Sequence, residues 1–248
     1  TDKYEKEKTE LIEIFNAHKG RYGYRRILMI MRSKGYTINH KTVQKLMKSL
    51  GLKGKQRKNE KYHSYKGQVG KVADNLLNRE FSANKPFEKL TTDVTEFKYY
   101  VGTEVKKLYL SAILDIYDRR IVAYKIGTSN NNQLVFDTFD EAIENNPTAH
   151  PLFHSDRGFQ YTNKTFHSKL IKAGMRQSMS RVGRCIDNGP MEGYWGILKS
   201  EMYYLKKFTS QEELTQAIEN YIDFYNTKRF QLKLKCMTPM EFHYAQAA

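Results

Sequence analysis

The chain has 248 residues, a formal net charge of +15 and only two cysteines. No run of 18 apolar residues occurs, so we expect no membrane partner. Two cysteines outside any CxxC or Cys/His cluster argue against a disulfide framework or a zinc site, and a reducing cytoplasm is the expected compartment. The charge favours a polyanionic partner, most often nucleic acid, although a solvated basic surface gives the same composition.

Residues 1–50 are predicted to form three short helices. Apolar residues recur at helical spacing over 4–18, 24–34 and 40–50, with Asn39 as an N-cap and Gly51 as a stop. No acid occurs between Glu13 and Glu60, whereas Lys and Arg occur 13 times there. This pattern predicts a small all-α helix-turn-helix domain that binds DNA, and a helical bundle with a solvated basic surface is the alternative.

Ten basic residues in and after these helices are the expected DNA contacts. They are Arg21, Arg25, Arg26, Lys41, Lys45, Lys48, Lys53, Lys55, Arg57 and Lys58. The last four fall in residues 51–85, where the helical periodicity is lost and lysines, glycines and tyrosines dominate. We interpret 51–85 as a basic linker, or as an arm that orders on a partner.

Residues 86–248 carry a strand-rich pattern followed by alternating strands and helices. The segments "KLTTDVTEFKYYV", "KKLYLSAILDIY" and "RRIVAYKIG" predict an antiparallel meander. A helix over 130–145, the short strand "PLFHSD", a helix over 163–173, the strand "RQSMS", a helix after Asp187 and a last long helix over 211–227 follow. The predicted fold is an α/β domain with a five-stranded mixed sheet.

Three acids stand at positions where a sheet could bring them together. Asp93 lies inside the first strand, Asp156 ends "PLFHSD", and Glu192 lies in the first turn of the helix that opens with "DNGP". Converging carboxylates repel each other unless a hard divalent cation binds between them. Mg²⁺ held by carboxylates is a common design for phosphodiester chemistry. The plain alternative for Glu192 is an acid that serves only the helix dipole.

The spacing of these acids carries a family resemblance. Asp93 and Asp156 are separated by 62 residues, and Asp156 and Glu192 by 35. With "TTDVTEF", "HSDRGFQY" and "DNGPMEGYWGILKSE", this resembles the D,D-35-E signature of polynucleotidyl transferases with a ribonuclease H-like core. "HKGRYGYRRI", "NHKTVQKLMKSLGL" and "YIDFYNTKRFQLKLKCMTPMEF" also resemble parts of the OrfB transposases of the insertion-sequence-three family, kin to retroviral integrases.

The resemblance implies a DNA transposase with a catalytic core over 86–248. Asp93, Asp156 and Glu192 fall on the catalytic and metal-binding triad, which would hold two Mg²⁺ ions, with Mn²⁺ as a substitute. Lys199 falls on a position near DNA. The implied partners are the double-stranded inverted-repeat ends, the target DNA and a second copy of the chain, at least a dimer on DNA, in a bacterial cytoplasm and nucleoid. The implied route is 3′-end cleavage and strand transfer, copy-out–paste-in.

The sequence departs from the family pattern at two C-terminal positions. Cys236 stands where the family commonly has Gly, and Phe230 where it often has Ile or His. Because both lie far from the triad, they bear on packing rather than on chemistry. The family's upstream segment, with its own helix-turn-helix and coiled coil, is expected outside this sequence.

Other residues have competing interpretations. Asp115 could replace Asp156 as an acid ligand, but a structural role fits its position better. Asp187 is expected to cap the following helix, and Glu201 to be a surface acid. His154 shares a strand face with Asp156 and either orients the site or is a satisfied buried histidine. Trp195 is expected to pack in the core rather than stack on a base. Gly158 and Gly193 indicate either a tight backbone or a close approach of DNA.

Two other functions remain compatible with the sequence. A metal-dependent nuclease with the same core would cut DNA without joining it. A non-catalytic DNA-binding regulator would keep the helical domain and lose the chemistry, although the three acids argue against it.

Overall fold

The computed structural model describes residues 2–55 and 72–247, a helical N-terminal part followed by an α/β part. Arg57 and Lys58, two of the expected DNA contacts, lie outside the described residues. Within those two ranges, no helix has both the length and the apolarity needed to cross a membrane.

Three helices form the N-terminal part, as the periodicity predicted. They are α1 (Glu5–Ala17), α2 (Tyr24–Ser33) and α3 (His40–Ser49). Their apolar faces meet in one buried core that includes Leu11, Ile27 and Val43. Asn39 is confirmed as the N-cap of α3, because its side chain accepts a hydrogen bond of 2.9 Å from the amide of Lys41.

A five-stranded mixed sheet forms the centre of the α/β part. Its strands are β1 (Lys89–Val101), β2 (Glu104–Asp115), β3 (Ile121–Gly127), β4 (Leu152–Ser155) and β5 (Arg176–Met179), in the order β3-β2-β1-β4-β5. The first three form the expected antiparallel meander, and β4 and β5 join parallel to β1. The long central strand β1 therefore has an antiparallel neighbour on one side and a parallel neighbour on the other.

Helices cover both faces of the sheet. On one face α4 (Asn132–Glu144) and α5 (Lys164–Lys172) pack against side chains that include Leu90 of β1. On the other face α6 (Gly189–Glu201) and α7 (Gln211–Thr227) pack against Phe97 and Tyr99. Because successive strand side chains alternate between faces, the odd-numbered residues of β1 point toward α6, and Asp93 is one of them.

The C-terminal helix α8 (Pro239–Ala247) was not predicted. Thr238 and Glu241 form a reciprocal capping box, with the Glu241 carboxylate accepting from the Thr238 amide at 2.8 Å and the Thr238 hydroxyl accepting from the Glu241 amide at 3.1 Å. Pro239 occupies the start, where its missing N–H costs nothing. The "TPME" signal was present in the sequence, so ending the helical prediction at residue 227 was wrong.

The described end of the linker runs along the edge strand β5. The amides of Leu76 and Leu77 donate to Ser178 Oγ at 2.9 and 3.1 Å, and the Met179 amide donates to the Asp74 carbonyl at 3.2 Å. These hydrogen bonds cover a strand edge that would otherwise be open. The expectation of an arm that orders on a partner is therefore wrong for 72–83, which is held by the core of its own chain.

Cys236 lies in a backbone conformation that favours glycine, the residue that the resemblance led us to expect there. Lys235 and Cys236 are consecutive residues in the left-handed region, with φ of 52° and 68°. Side chains with a Cβ are strained there, whereas glycine is not. The departure from the family pattern therefore places local backbone strain in the turn before α8.

Replacing Cys236 with glycine should stabilise the protein. We expect Cys236→Gly to raise the free energy of unfolding by about 1 kcal/mol, because relief of the left-handed strain outweighs the entropy lost by glycine. The measurement is urea unfolding at equilibrium. Cys236→Ala is the matched control, since it removes the thiol and keeps the strained Cβ. Equal stability of the glycine and alanine variants would contradict this account.

Candidate active site

Asp93 and Asp156 lie side by side across two parallel strands. Thr91 of β1 is in register with His154 of β4. Continuing the register by two residues places Asp156, the first residue after β4, opposite Asp93, at the spacing of adjacent strands. Parallel pairing thus brings together two acids with 62 residues between them in the sequence.

The Asp93 carboxylate is held by two N–H donors. The amide of Val94 donates to Oδ1 at 2.8 Å, and the indole Nε1–H of Trp195 donates to Oδ2 at 3.0 Å. Burial raises the pKa of Asp93 well above its ordinary value, and the negative charges of Asp156 and Glu192 raise it further. Glu192, in the first turn of α6, is thus within electrostatic reach of Asp93.

The Asp156 carboxylate is held by the backbone of a glycine two residues later, Gly158. Its Oδ1 accepts a hydrogen bond of 2.8 Å from the Gly158 amide, while burial raises the pKa of the carboxyl. A Cβ at Gly158 would lie 3.0 Å from Asp156 Oδ1, so the expected tight backbone is confirmed there. A tight backbone is wrong for Gly193, because a Cβ at that position would meet nothing within 4 Å, and a close approach of DNA there stays a prediction.

The start of α6 is attached to β1 by a buried asparagine. Asn188 Nδ2 donates to the Thr92 carbonyl at 2.9 Å, and Asn188 Oδ1 accepts from the Thr91 hydroxyl. With Trp195 bonded to Asp93 one turn after Glu192, two contacts fix the helix segment that carries Glu192. The sequence analysis gave Asn188 no role beyond its place in the "DNGP" that opens the helix, so this positioning role was missed.

The three acids do not form a ready metal-ligand set as their side chains stand. Among residues 2–55 and 72–247, no group of three or more His, Cys, Asp or Glu side chains is arranged to hold a metal ion. The donor chemistry nevertheless fits a hard divalent cation, because Asp93 and Asp156 are desolvated, mutually repelling carboxylates. The structure brings Asp93 and Asp156 together and leaves Glu192 within electrostatic reach of Asp93.

His154 is a satisfied buried histidine. Ser178 Oγ already accepts two backbone N–H groups, so its hydroxyl donates to His154 Nδ1 at 2.8 Å. The Nε2–H is then left to donate to Ser180 Oγ at 3.2 Å. Burial lowers the pKa of His154 to about 4 in spite of the nearby Asp187. The ring stays neutral and links the linker segment, β4 and β5.

Asp115 is structural, as expected, whereas the prediction for Asp187 was wrong. Asp115 is buried and accepts from the amides of Phe87 and Tyr117 at 2.7 and 2.8 Å. The carboxylate of Asp187 makes no cap for α6. It binds Arg181 and Arg79, and these guanidinium groups hold its pKa well below the ordinary value. Asp187 instead ties the linker to the loop before α6.

Glu201 was expected at the surface and is buried. It ends α6, and its carboxylate pairs with Arg229 and Arg26. Burial alone would raise the pKa of Glu201, but the hydrogen bonds and charge of Arg229 outweigh burial and hold it below the ordinary value. Glu201 follows Glu192 by nine residues, which places it on the opposite side of α6, and that side faces another part of the chain.

The expected DNA contacts divide into two groups. Six described residues are exposed on the helical part, and four of these line a cleft of about 750 Å³ between α2, α3 and residues 51–55. The exposed residues are Arg25, Lys41, Lys45, Lys48, Lys53 and Lys55, of which all but Lys41 and Lys45 line the cleft.

The remaining described basic residues contact the core. Arg21 and Arg26 bind Glu201, through its carbonyl and its carboxylate respectively, and Arg26 also lines the cleft. Lys199 lies on α6 with its ammonium 5.5 Å from the centre of the Phe97 ring. Trp195 is buried, as expected for a core residue, and it also orients Asp93.

The chain matches known families over most of its length. Residues 83–185 and 192–246 match integrase core domain families, and residues 3–60 match an HTH-like domain. The putative transposase InsK for insertion sequence element IS150 of Escherichia coli is 42% identical over 97% of this chain and 84% of its own length. The chain belongs to the insertion-sequence transposases. It is therefore a polynucleotidyl transferase with an integrase core.

Two further comparisons bear on the family and on the fold respectively. The transposase InsF for insertion sequence IS3A of Escherichia coli is 30% identical to this transposase over 94% of this chain and 80% of its own length. A structure of the HTLV-2 integrase catalytic core domain in complex with magnesium (trimeric form) has a TM-score of 0.50 and 18% identity. The match covers 64% of this chain and 97% of the HTLV-2 integrase core. It supports the ribonuclease H-like fold expected for the core of this chain.

Removing the indole donor from Asp93 should slow the transposase without unfolding it. Trp195→Phe keeps an aromatic ring in the core and deletes the Nε1–H bond to Oδ2. Loss of such an orienting partner typically costs 10–100-fold, and we expect at least about tenfold in the rate of DNA processing. The measurements are the single-turnover rate of end-DNA processing and the melting temperature of each variant.

Tyr194→Phe is the matched control for this change. Tyr194 is a buried aromatic on the same helix whose hydroxyl has no hydrogen-bond partner among the described residues. Its replacement also deletes one polar atom and should leave the rate unchanged. Equal rates for the Trp195 and Tyr194 variants would mean that the indole N–H does not orient Asp93.

Proposed function

We propose that this transposase cleaves the 3′ ends of its insertion sequence and transfers them to target DNA, using Asp93, Asp156 and Glu192 as the catalytic and metal-binding acids. The observation that carries the proposal is the pairing of Asp93 with Asp156 across β1 and β4, with the Glu192 charge acting on Asp93. The solved HTLV-2 integrase core, a structural neighbour, is in complex with magnesium. Two Mg²⁺ ions are the proposed cofactors, with Mn²⁺ as a substitute.

The residues of the chain prepare this site by holding and desolvating carboxylates. The Val94 amide and the Trp195 indole fix Asp93, and the Gly158 amide fixes Asp156, so each held oxygen keeps a lone pair for another ligand. When bound, Mg²⁺ supplies Lewis-acid activation of phosphodiester oxygens and lowers the pKa of an attacking water or 3′-hydroxyl. The proposed reaction needs no covalent protein–DNA intermediate, because the attacking group is a water or a 3′-hydroxyl.

We further propose a division of labour along the chain. Residues 1–50 bind the inverted-repeat ends through the exposed basic surface of α2 and α3, 51–85 link or extend that contact, and 86–248 carry the chemistry. Exposed Arg25, Lys48 and Lys53 in one cleft support this assignment, because phosphate contacts provide much of DNA affinity. Lys199, on the same helix as Glu192, is proposed to contact DNA near the acids.

Substitution of Lys48 should weaken DNA binding by the full chain. Lys48→Gln removes one exposed cation from the cleft, so we expect lower affinity for end DNA and a salt slope shallower by about one unit. Lys34→Gln is the control, because Lys34 lies on the same domain and pairs with Glu10. Fluorescence anisotropy across a salt series measures both quantities. Equal effects of the two substitutions would place the DNA elsewhere.

The proposed reaction requires two ends and therefore more than one chain. Each chain carries a single set of Asp93, Asp156 and Glu192, so we propose at least a dimer on paired ends. Light scattering of the chain with end DNA should give at least two chains per complex of two ends. A stable complex of one chain with one duplex that completes strand transfer would exclude this assembly.

Glu192 separates the metal hypothesis from the helix-dipole hypothesis. Glu192→Gln keeps the shape and removes the charge, so Mg²⁺-dependent joining of a pre-cut end should fall by orders of magnitude while the fold and end affinity persist. Asp93→Asn and Asp156→Asn should behave alike, and their losses should not add, because the acids act as a unit.

The matched control is another first-turn acid. Glu212 lies in the first turn of α7 and is exposed. An acid that serves only the dipole contributes about 0.3–1 kcal/mol, so Glu212→Gln should slightly lower stability and leave joining intact. Near-normal joining by Glu192→Gln would refute the triad. Cutting without joining by the unmodified chain would identify a nuclease instead.

A further inference from the structure

A buried ion-pair cluster lies at the C-terminal end of α6. The guanidinium of Arg229 donates from Nε to Glu201 Oε2 at 2.9 Å and from Nη2 to Oε1 at 2.7 Å. The hydroxyl of Tyr221 donates to Oε2 at 2.9 Å. Only 7% of the Glu201 side chain and 2% of the Arg229 side chain are exposed, so both charges depend on this pairing.

The helical domain is attached to the same residue. Arg26 of α2 donates from Nη1 to Glu201 Oε1 at 3.3 Å, and Arg21 donates from Nε to the Glu201 carbonyl at 3.0 Å. That carbonyl belongs to the last turn of α6, where cations are favoured by the helix dipole. Glu201 thus has one set of partners in the core and another in the DNA-binding part.

Aromatic contacts surround these hydrogen bonds and make the attachment specific. The guanidinium of Arg21 lies 4.6 Å from the centre of the Phe224 ring of α7, and the Tyr22 hydroxyl donates to the Lys228 carbonyl at 3.2 Å. Phe224 and Phe230 also pack against the apolar core of the helical domain. Charge, hydrogen bonds and apolar area therefore act at one place between the two parts.

Glu192 and Glu201 lie on one continuous helix, nine residues apart. At 1.5 Å per residue, this rigid segment is about 14 Å long. The helix that carries a proposed catalytic acid in its first turn therefore also carries, at its last residue, the anchor of the domain that is proposed to bind DNA ends.

We propose that Glu201 is a positioning residue, which docks the helical domain through Arg26 and Arg21 onto the end of the catalytic helix and so sets where a bound end meets the active site. This inference rests on the proposed function, since it assigns Glu201 a role in end joining. Arg21 and Arg26 then serve the dock. Arg26 also lines the cleft, but it is half-buried and its guanidinium pairs with Glu201, whereas neighbouring Arg25 is exposed there and serves DNA. Glu201 acts through α6 and does not touch the reacting atoms.

The test compares two pre-cut substrates. A long duplex spans the inverted repeat and engages both domains, whereas a short duplex carries only the terminal base pairs and engages the core. Arg26→Gln is the main variant, because Glu201→Gln would leave Arg229 buried without its counter-charge. We expect Arg26→Gln to slow single-turnover joining of the long duplex at least about tenfold and to spare the short duplex. Only the long duplex contacts both domains, so only its placement depends on how the helical domain docks.

Arg25→Gln is the matched comparison for the arginine at the dock. It should weaken binding of the long duplex and flatten its salt dependence, whereas Arg26→Gln should leave both unchanged. Equal slowing of both duplexes by Arg26→Gln would indicate a general structural role, and loss of long-duplex affinity would indicate a DNA contact. Either result overturns the proposal.

A measurement without DNA separates this inference from the proposed chemistry. Small-angle scattering of the full chain should show a larger radius of gyration for the double variant Arg21→Gln/Arg26→Gln than for the unmodified protein, because the helical domain detaches. An unchanged radius overturns the dock whether or not the protein joins DNA. Failure of the unmodified protein to join either duplex, with the expected expansion in the variant, would refute the proposed function and leave the dock standing.

Discussion

The attachment of α6 to β1 is the constraint on which the rest of the structure depends. Asn188 binds the backbone and side chain of β1 at the helix start, and the Trp195 indole binds Asp93 about two turns later. Because β1 is the central strand and pairs with β4, this attachment also sets α6 relative to Asp156. A shift of the helix along the strand would move Glu192 away from Asp93 and would break a buried asparagine contact.

The acids of the chain divide according to whether a cation accompanies them. Asp187 and Glu201 are buried beside arginines, and both have lowered pKa values. Asp93 and Asp156 are held by N–H donors, repel each other and have raised pKa values. Structural acids are compensated within the fold, whereas desolvated acids that repel one another fit the divalent cation that is proposed to bind there. The same residue type thus serves stability at one end of α6 and is proposed to serve chemistry at the other.

Local signals predicted most elements, because helical periodicity, strand composition and caps are written in neighbouring residues. The three N-terminal helices, the meander and the alternation of later strands and helices follow from such patterns. Helix α8 was missed although its capping box was present. The docking of residues 72–83 against β5 could not be predicted, because their hydrogen-bond partners lie about a hundred residues away in the sequence.

The sequence by itself determined the class of the protein, since three acids in a known spacing and an acid-free basic stretch can be read without coordinates. Only the tertiary structure decided which charged side chains bind each other inside the molecule. Glu201 reads as a surface acid until Arg26, 175 residues away, is placed beside it, and Arg21 reads as a DNA contact until it meets the end of α6. A buried ion pair between distant residues leaves no periodic trace in the sequence, because its energy depends on burial and geometry that only the assembled fold provides.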